Sequence, residues 1–141
     1  MTVTFPAGLY ELLHAAGVVE GFVEARLASE GLSLAKLAAL TRLSEAGDSL
    51  PLGQLADRLA CVKSNVTQLV DRLEADGLVL RTSDPSDRRS RLAVLTPAGR
   101  AAQGRGLAIQ RQAEGEVFGS LSSEESARLA EIIAKLSKAS G

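Results

Sequence analysis

A chain of 141 residues with sixteen Lys and Arg against seventeen Asp and Glu, a net charge of -1, is the size of one small domain with an extension. It excludes a large multi-domain enzyme and any global basic excess aimed at nucleic acid, so a DNA-binding surface here has to be local. Apolar residues at 45%, with 22 Ala and 23 Leu, point to a folded and mostly helical chain, while 3% aromatics and no Trp exclude single-strand binding by base stacking. The single cysteine, Cys61, forms no internal disulfide, and no Cys/His cluster suggests zinc. No run approaches the ~18 apolar residues of a membrane span, and the first residues lack a basic segment followed by an apolar one. A cytoplasmic chain without metal, cofactor or membrane partner is the expectation.

In chain order, residues 6–29 predict one long helix, with Leu9, Leu12, Leu13, Ala16, Val19, Val23 and Leu27 on a stripe and Gly31 beyond its end. Ser33 caps a second helix carrying Leu37, Leu40 and Leu43 and stopping at Gly47. After a turn at residues 48–51, residues 52–59 form a two-turn helix. A break at Ala60-Cys61 precedes a further helix from Val62 or Lys63 to Ala75, closed by Gly77. Two short helices this close make a helix-turn-helix. Residues 78–82 and 92–95 read as strands around a polar hairpin tip at 83–91, a two-stranded wing. Thr96-Pro97 opens a helix to about Gly119. Ser122 and Glu125 form a capping box for the last helix, whose Leu129, Ile132, Ile133 and Leu136 share a face.

Residues 52–105 hold nine bases, among them Arg72, against six acids, a local charge of +3. The flanks carry -3 (residues 1–51) and -1 (residues 106–141). The positive charge thus sits on the helix-turn-helix and wing, where phosphates would be met. With Val66, Leu69, Val70 and Leu73 turned to the core, the helix leaves Ser64, Gln68 and Asp71 outward, Asn65 and Thr67 flanking, and Lys63 near its N-terminus. Asn and Gln match adenine, Ser and Thr reach phosphate or base edges, and Lys reaches phosphate or guanine. Arg88, Arg89 and Arg91 at the wing suit a narrow minor groove. A carboxylate at Asp71 would repel phosphate, and its expected partner is Arg89, which would fix the wing's angle; Asp87 anchors the tip beside it.

Residues 55–59, 63–79, 84–89 and 95–99, with the wing Asp87-Arg88-Arg89 followed by Leu95-Thr96-Pro97-Ala98-Gly99, resemble the MarR family of winged-helix transcription regulators. The resemblance implies a mostly α fold with three parts: an N-terminal dimerisation helix (1–31), a winged helix-turn-helix with a two-stranded β-wing (32–96) and C-terminal dimerisation helices (97–141). It further implies a homodimer on a pseudo-palindromic operator of double-stranded DNA, acting as a repressor. Release by a small lipophilic or phenolic effector bound between the dimerisation and DNA-binding regions belongs to the same implication. Val62 stands where the family often has a Ser or Thr cap, and the neutral Gln68 where it often has a base.

No nucleophile-base pair, metal motif or phosphate loop supports an enzyme. The single histidine, His14, is expected at an interface or pocket wall, with Phe5, Tyr10 and Phe22 as candidate neighbours around an effector. Two other readings stay open: a thiol sensor acting through Cys61, and a winged helix that binds protein without operator specificity.

Overall fold

The computed structural model describes residues 8–59 and 65–139; Lys63, Ser64, Cys61 and Phe5 lie outside them. Among the described residues the order is α1 (Leu9–Ala28), α2 (Leu34–Glu45), β1 (Ser49–Pro51), α3 (Leu52–Arg58), α4 (Val66–Ala75), β2 (Val79–Asp84), β3 (Asp87–Leu95), α5 (Pro97–Phe118) and α6 (Ser123–Ala139). The fold is mostly α, with a small antiparallel sheet in the order β1-β3-β2.

Local chemistry accounts for most of the boundaries. Ser33 Oγ accepts from the Lys36 N–H, Thr96 Oγ1 from the Gly99 N–H, and Ser122 with Glu125 closes the reciprocal capping box before α6. Behind α4, Gly77 takes a φ of 76°, and the Leu78 and Gly77 amides return to the Leu73 and Glu74 carbonyls. That pattern ends the helix and aims the chain into the wing. Asp48 holds a left-handed φ of 79°, rare for a residue with a Cβ. Its carbonyl accepts from the Leu95 N–H at 2.7 Å and its carboxylate pairs with Arg100, which seat β1 beside β3.

Three boundaries differ from the sequence reading. The fourth helix begins at Val66, not at Val62 or Lys63, because Asn65 is extended and its side chain caps the helix, accepting from the Gln68 N–H. Residues 49–51 form a strand, not a turn: Ser49, Leu50 and Pro51 pair with Val94, Ala93 and Leu92 at a sheet edge, where proline costs no ladder bond. The wing strands run farther than expected, leaving only Pro85-Ser86 between them. Arg88, Arg89 and Arg91 therefore ride on β3 itself.

The core joins α2, α3, α4 and the sheet through Leu37, Leu40, Leu43, Leu55, Leu73 and Val79. Helices α1 and α2 both pack on α5. Of the stripe expected along α1, only Val23 and Leu27 are buried; Leu9, Leu12 and Leu13 are exposed, as are Ile132 and Ile133 on α6. A stripe at helical spacing marks a face that seeks a partner, and here half of that face finds none among the described residues.

Candidate nucleic-acid interface

Helix α4 buries Leu69, Val70 and Leu73 and half-buries Val66, which fixes its rotation. The opposite side then presents Asn65, Thr67, Gln68, Asp71 and Arg72 to solvent. These short polar side chains and one guanidinium lie along about two turns, the dimensions of a major-groove reader. Asn65 has a divided role: its Oδ1 serves the helix cap at 3.3 Å from the Gln68 nitrogen, so only its Nδ2 donors face outward.

Beside α4 stands the wing. Arg88 and Arg89 fall where the ribbon is irregular, since the pairing passes from Asp84↔Asp87 to Ser83↔Arg91, while Arg91 sits in the regular ladder opposite Ser83. All three are exposed. Asp87 Oδ1 accepts from the Arg89 N–H at 3.0 Å, and Asp84 Oδ1 accepts from the Ser86 N–H at 2.9 Å and its hydroxyl at 2.7 Å. Those two Ser86 bonds hold the Asp84 carboxyl below its ordinary value, the hydroxyl contributing most. The tip is thus ordered by carboxylates while its cations stay outward.

Asp71 is neutralised, but not by Arg89. Its carboxylate is bonded by Arg81 of β2. The same guanidinium donates to the Thr67 carbonyl at 3.2 Å and lies 3.8 Å from Glu74, whose other oxygen accepts from the Arg81 backbone N–H at 3.2 Å. Arg81 therefore joins wing to α4. Sequence reasoning counted it only as a charge. The strand period was the available signal, because Arg81 shares a face with the buried Val79 and must point at the helix, whereas Leu80 is exposed on the other face.

A cleft of about 340 Å³ opens between the α1–α2 junction and α4, lined among others by Glu24, Ser33, Lys36, Asn65, Gln68 and Arg72. Glu24 accepts from the Leu34 N–H at 2.5 Å, and Lys36 bonds Asp76 at the end of α4 at 2.8 Å. Of the residues expected around an effector, Tyr10, His14 and Phe22 are not brought to this cleft. Tyr10 and His14 lie on the exposed outer half of α1, and Phe22 is half-buried beneath the Arg26 guanidinium, 4.1 Å from its ring centre. Among the described residues no group of His, Cys, Asp and Glu is arranged to hold a metal, and no helix is long and apolar enough to cross a membrane.

A profile of the MarR family matches residues 32–90, from just before α2 into β3. The chain is 34% identical over 110 residues to the transcriptional repressor MdtR of Bacillus subtilis, covering 78% of this chain and 70% of that one. A crystal structure of a probable transcriptional regulator from Pseudomonas aeruginosa superposes with a TM-score of 0.81 at 32% identity, over 90% and 94% of the two chains. The structure of Bordetella bronchiseptica BpsR, a study of how its DNA binding is regulated by 6-hydroxynicotinic acid, gives 0.78 at 26% identity over 91% and 96%. The chain spans about half the length of the first curated relatives it matches, 42% to 54%, one of them a transcriptional activatory protein of Rhodopseudomonas palustris. With the MarR family profile on residues 32–90, a transcriptional repressor 34% identical and covered over 70% of its length, and a probable transcriptional regulator superposing over 94% of its chain, this chain belongs to the MarR family.

Proposed function

We propose that the chain is a homodimeric, sequence-specific double-stranded DNA-binding regulator that represses transcription. The observation that carries this is the polar outward face of α4 at Asn65, Thr67, Gln68 and Arg72, tied through Arg81 to a ribbon bearing Arg88, Arg89 and Arg91. In this reading α4 enters the major groove and the wing arginines approach the adjacent minor groove or phosphates. The repressor assignment leans on the likeness to MdtR. Dimerisation is supported by the exposed Leu9, Leu12, Leu13, Ile132 and Ile133, which a second copy would cover.

Release by a small effector fits the cleft beside α4, where Arg72 offers positive charge opposite Glu24, Lys36 being paired with Asp76, and an occupant would press on the reading helix. BpsR makes 6-hydroxynicotinic acid a reasonable probe. Tyr10 and His14 join such a site only if the second copy folds over them.

Selection of bound duplexes from random DNA tests the function. An inverted repeat with half-site centres about one helical turn, ~10 bp, apart is expected. Absence of any enriched sequence, with equal affinity for unrelated duplexes, would leave the winged helix as a protein-interaction module.

A further inference from the structure

We propose that Arg81 is the positioning residue that sets the angle between α4 and the wing, and that this single guanidinium governs how strictly sequence is read; the proposal rests on the DNA-binding function above. Thr67, Asp71 and Glu74 fall at i, i+4 and i+7, one stripe of α4 facing β2. Arg81 holds all three: the Thr67 carbonyl, the Asp71 carboxylate and, through its backbone N–H and its Nη1, the two oxygens of Glu74. Those contacts span seven residues, ~10 Å of helix axis, so they oppose both sliding and rotation. Gln68 and Arg72 are the immediate chain neighbours of Thr67 and Asp71. A rotation of ~20° would carry a side-chain atom at the helix surface ~2 Å sideways, enough to break a base contact.

Two other roles for Arg81 are weaker. An exposed ion pair fixes little, but the Arg81 side chain is only 19% exposed and its bonds converge from three points. A direct phosphate contact needs free donors. Here the Nη2 group is committed to Asp71 and Thr67, Nη1 faces Glu74, and Nε is buried without a partner among the described residues.

The test is fluorescence anisotropy of the full-length protein on its selected duplex and on a scrambled one, each across a salt series. For Arg81→Met, affinity for the selected duplex is expected to fall roughly tenfold while the scrambled duplex changes little and the log-log salt slope is unchanged. Arg81→Lys keeps the charge but loses the fork, and is expected to show the same loss of selectivity. Asp71→Asn, at an exposed position, removes the same pair without touching the wing core and should reproduce the effect if Arg81→Met fails to fold. A slope reduced by about one with equal loss on both duplexes would make Arg81 a phosphate contact and overturn the proposal. Unchanged selectivity in all three variants would overturn it as well. Failure of the wild-type protein to bind any duplex would instead strike the functional reading itself.

Discussion

Leucine behaves in two ways in this molecule. Between α2 and the sheet, Leu37, Leu40, Leu43, Leu55 and Leu73 are wholly enclosed, whereas on the outer half of α1 Leu9, Leu12 and Leu13 are 50% to 65% exposed, matched by Ile132 and Ile133 on α6. Both sets have helical spacing and both arise from the same apolar alphabet. The difference is where the partner lies: the winged region closes its core within one chain, and the helical ends hold their apolar faces open. Covering a half-exposed leucine contributes about 1 kcal/mol, so in the proposed dimer these residues from two copies would offset a large part of the entropy cost of association. In the proposed dimer, one region closes its core within the chain and the other is completed by the second copy.

The largest effect expected from that contrast follows from the double variant Leu13→Asp/Ile133→Asp. Sedimentation velocity should show a monomer whose helical circular dichroism is largely retained. Coupling of two half-sites should be lost with it, lowering operator affinity by at least about a hundredfold. A variant that stays dimeric would break the comparison at its helical end.

The winged end is probed by packing. Gly99 opens α5 directly over the wing entry, where a Cβ would collide with the Leu78 carbonyl oxygen, while Gly104 on the same helix has nothing within 4 Å. Gly99→Ala should cost about 1–3 kcal/mol in urea unfolding, and Gly104→Ala should be neutral or stabilising by up to ~1 kcal/mol. Equal responses would mean that the wing entry is looser than its contacts indicate.

Within the reading surface, α4 and the wing should separate by chemistry. Gln68→Ala should relax discrimination at one base position by ~1–3 kcal/mol, and Arg89→Ala should weaken all duplexes alike and lower the salt slope by about one. Binding to a panel of single-substituted operators distinguishes the two patterns.

The smallest effect belongs to the tip. Because Ser86 holds the Asp84 carboxyl below its ordinary value, the turn is stabilised while Asp84 is ionised. That contribution is complete above the ordinary carboxylate range and disappears as pH falls through the lowered value. Amide exchange at Ser86 should quicken there in the wild type and show no such step in Asp84→Asn, with α1 and α6 unaffected.

Much of the fold was legible because its signals are local. Ser33, Thr96 and Ser122 cap helices through atoms three residues away, and Gly31, Gly47 and Gly77 stop them through their own backbone angles. Asn65 was legible as polar but not as a cap, since the outward face of a helix and the residue before it draw on the same side chains. Strand β1 escaped because three residues ending in proline resemble a turn until β3 lies beside them. The Asp71 partner escaped for a related reason. Arg81 and Arg89 are equally charged in the sequence, and only the alternation of β2, set by the burial of Val79, aims Arg81 at the helix. The proposed interface between copies is legible only as an apolar stripe, because nothing in one chain states what covers it.

Native mass spectrometry of the protein with its selected duplex tests the central claim most directly, since it counts copies on DNA. A complex of two chains per duplex, lost in the Leu13→Asp/Ile133→Asp variant, is the result expected of a reader completed by its own second copy. A stable complex of one chain per duplex, with unchanged occupancy in that variant, would contradict it.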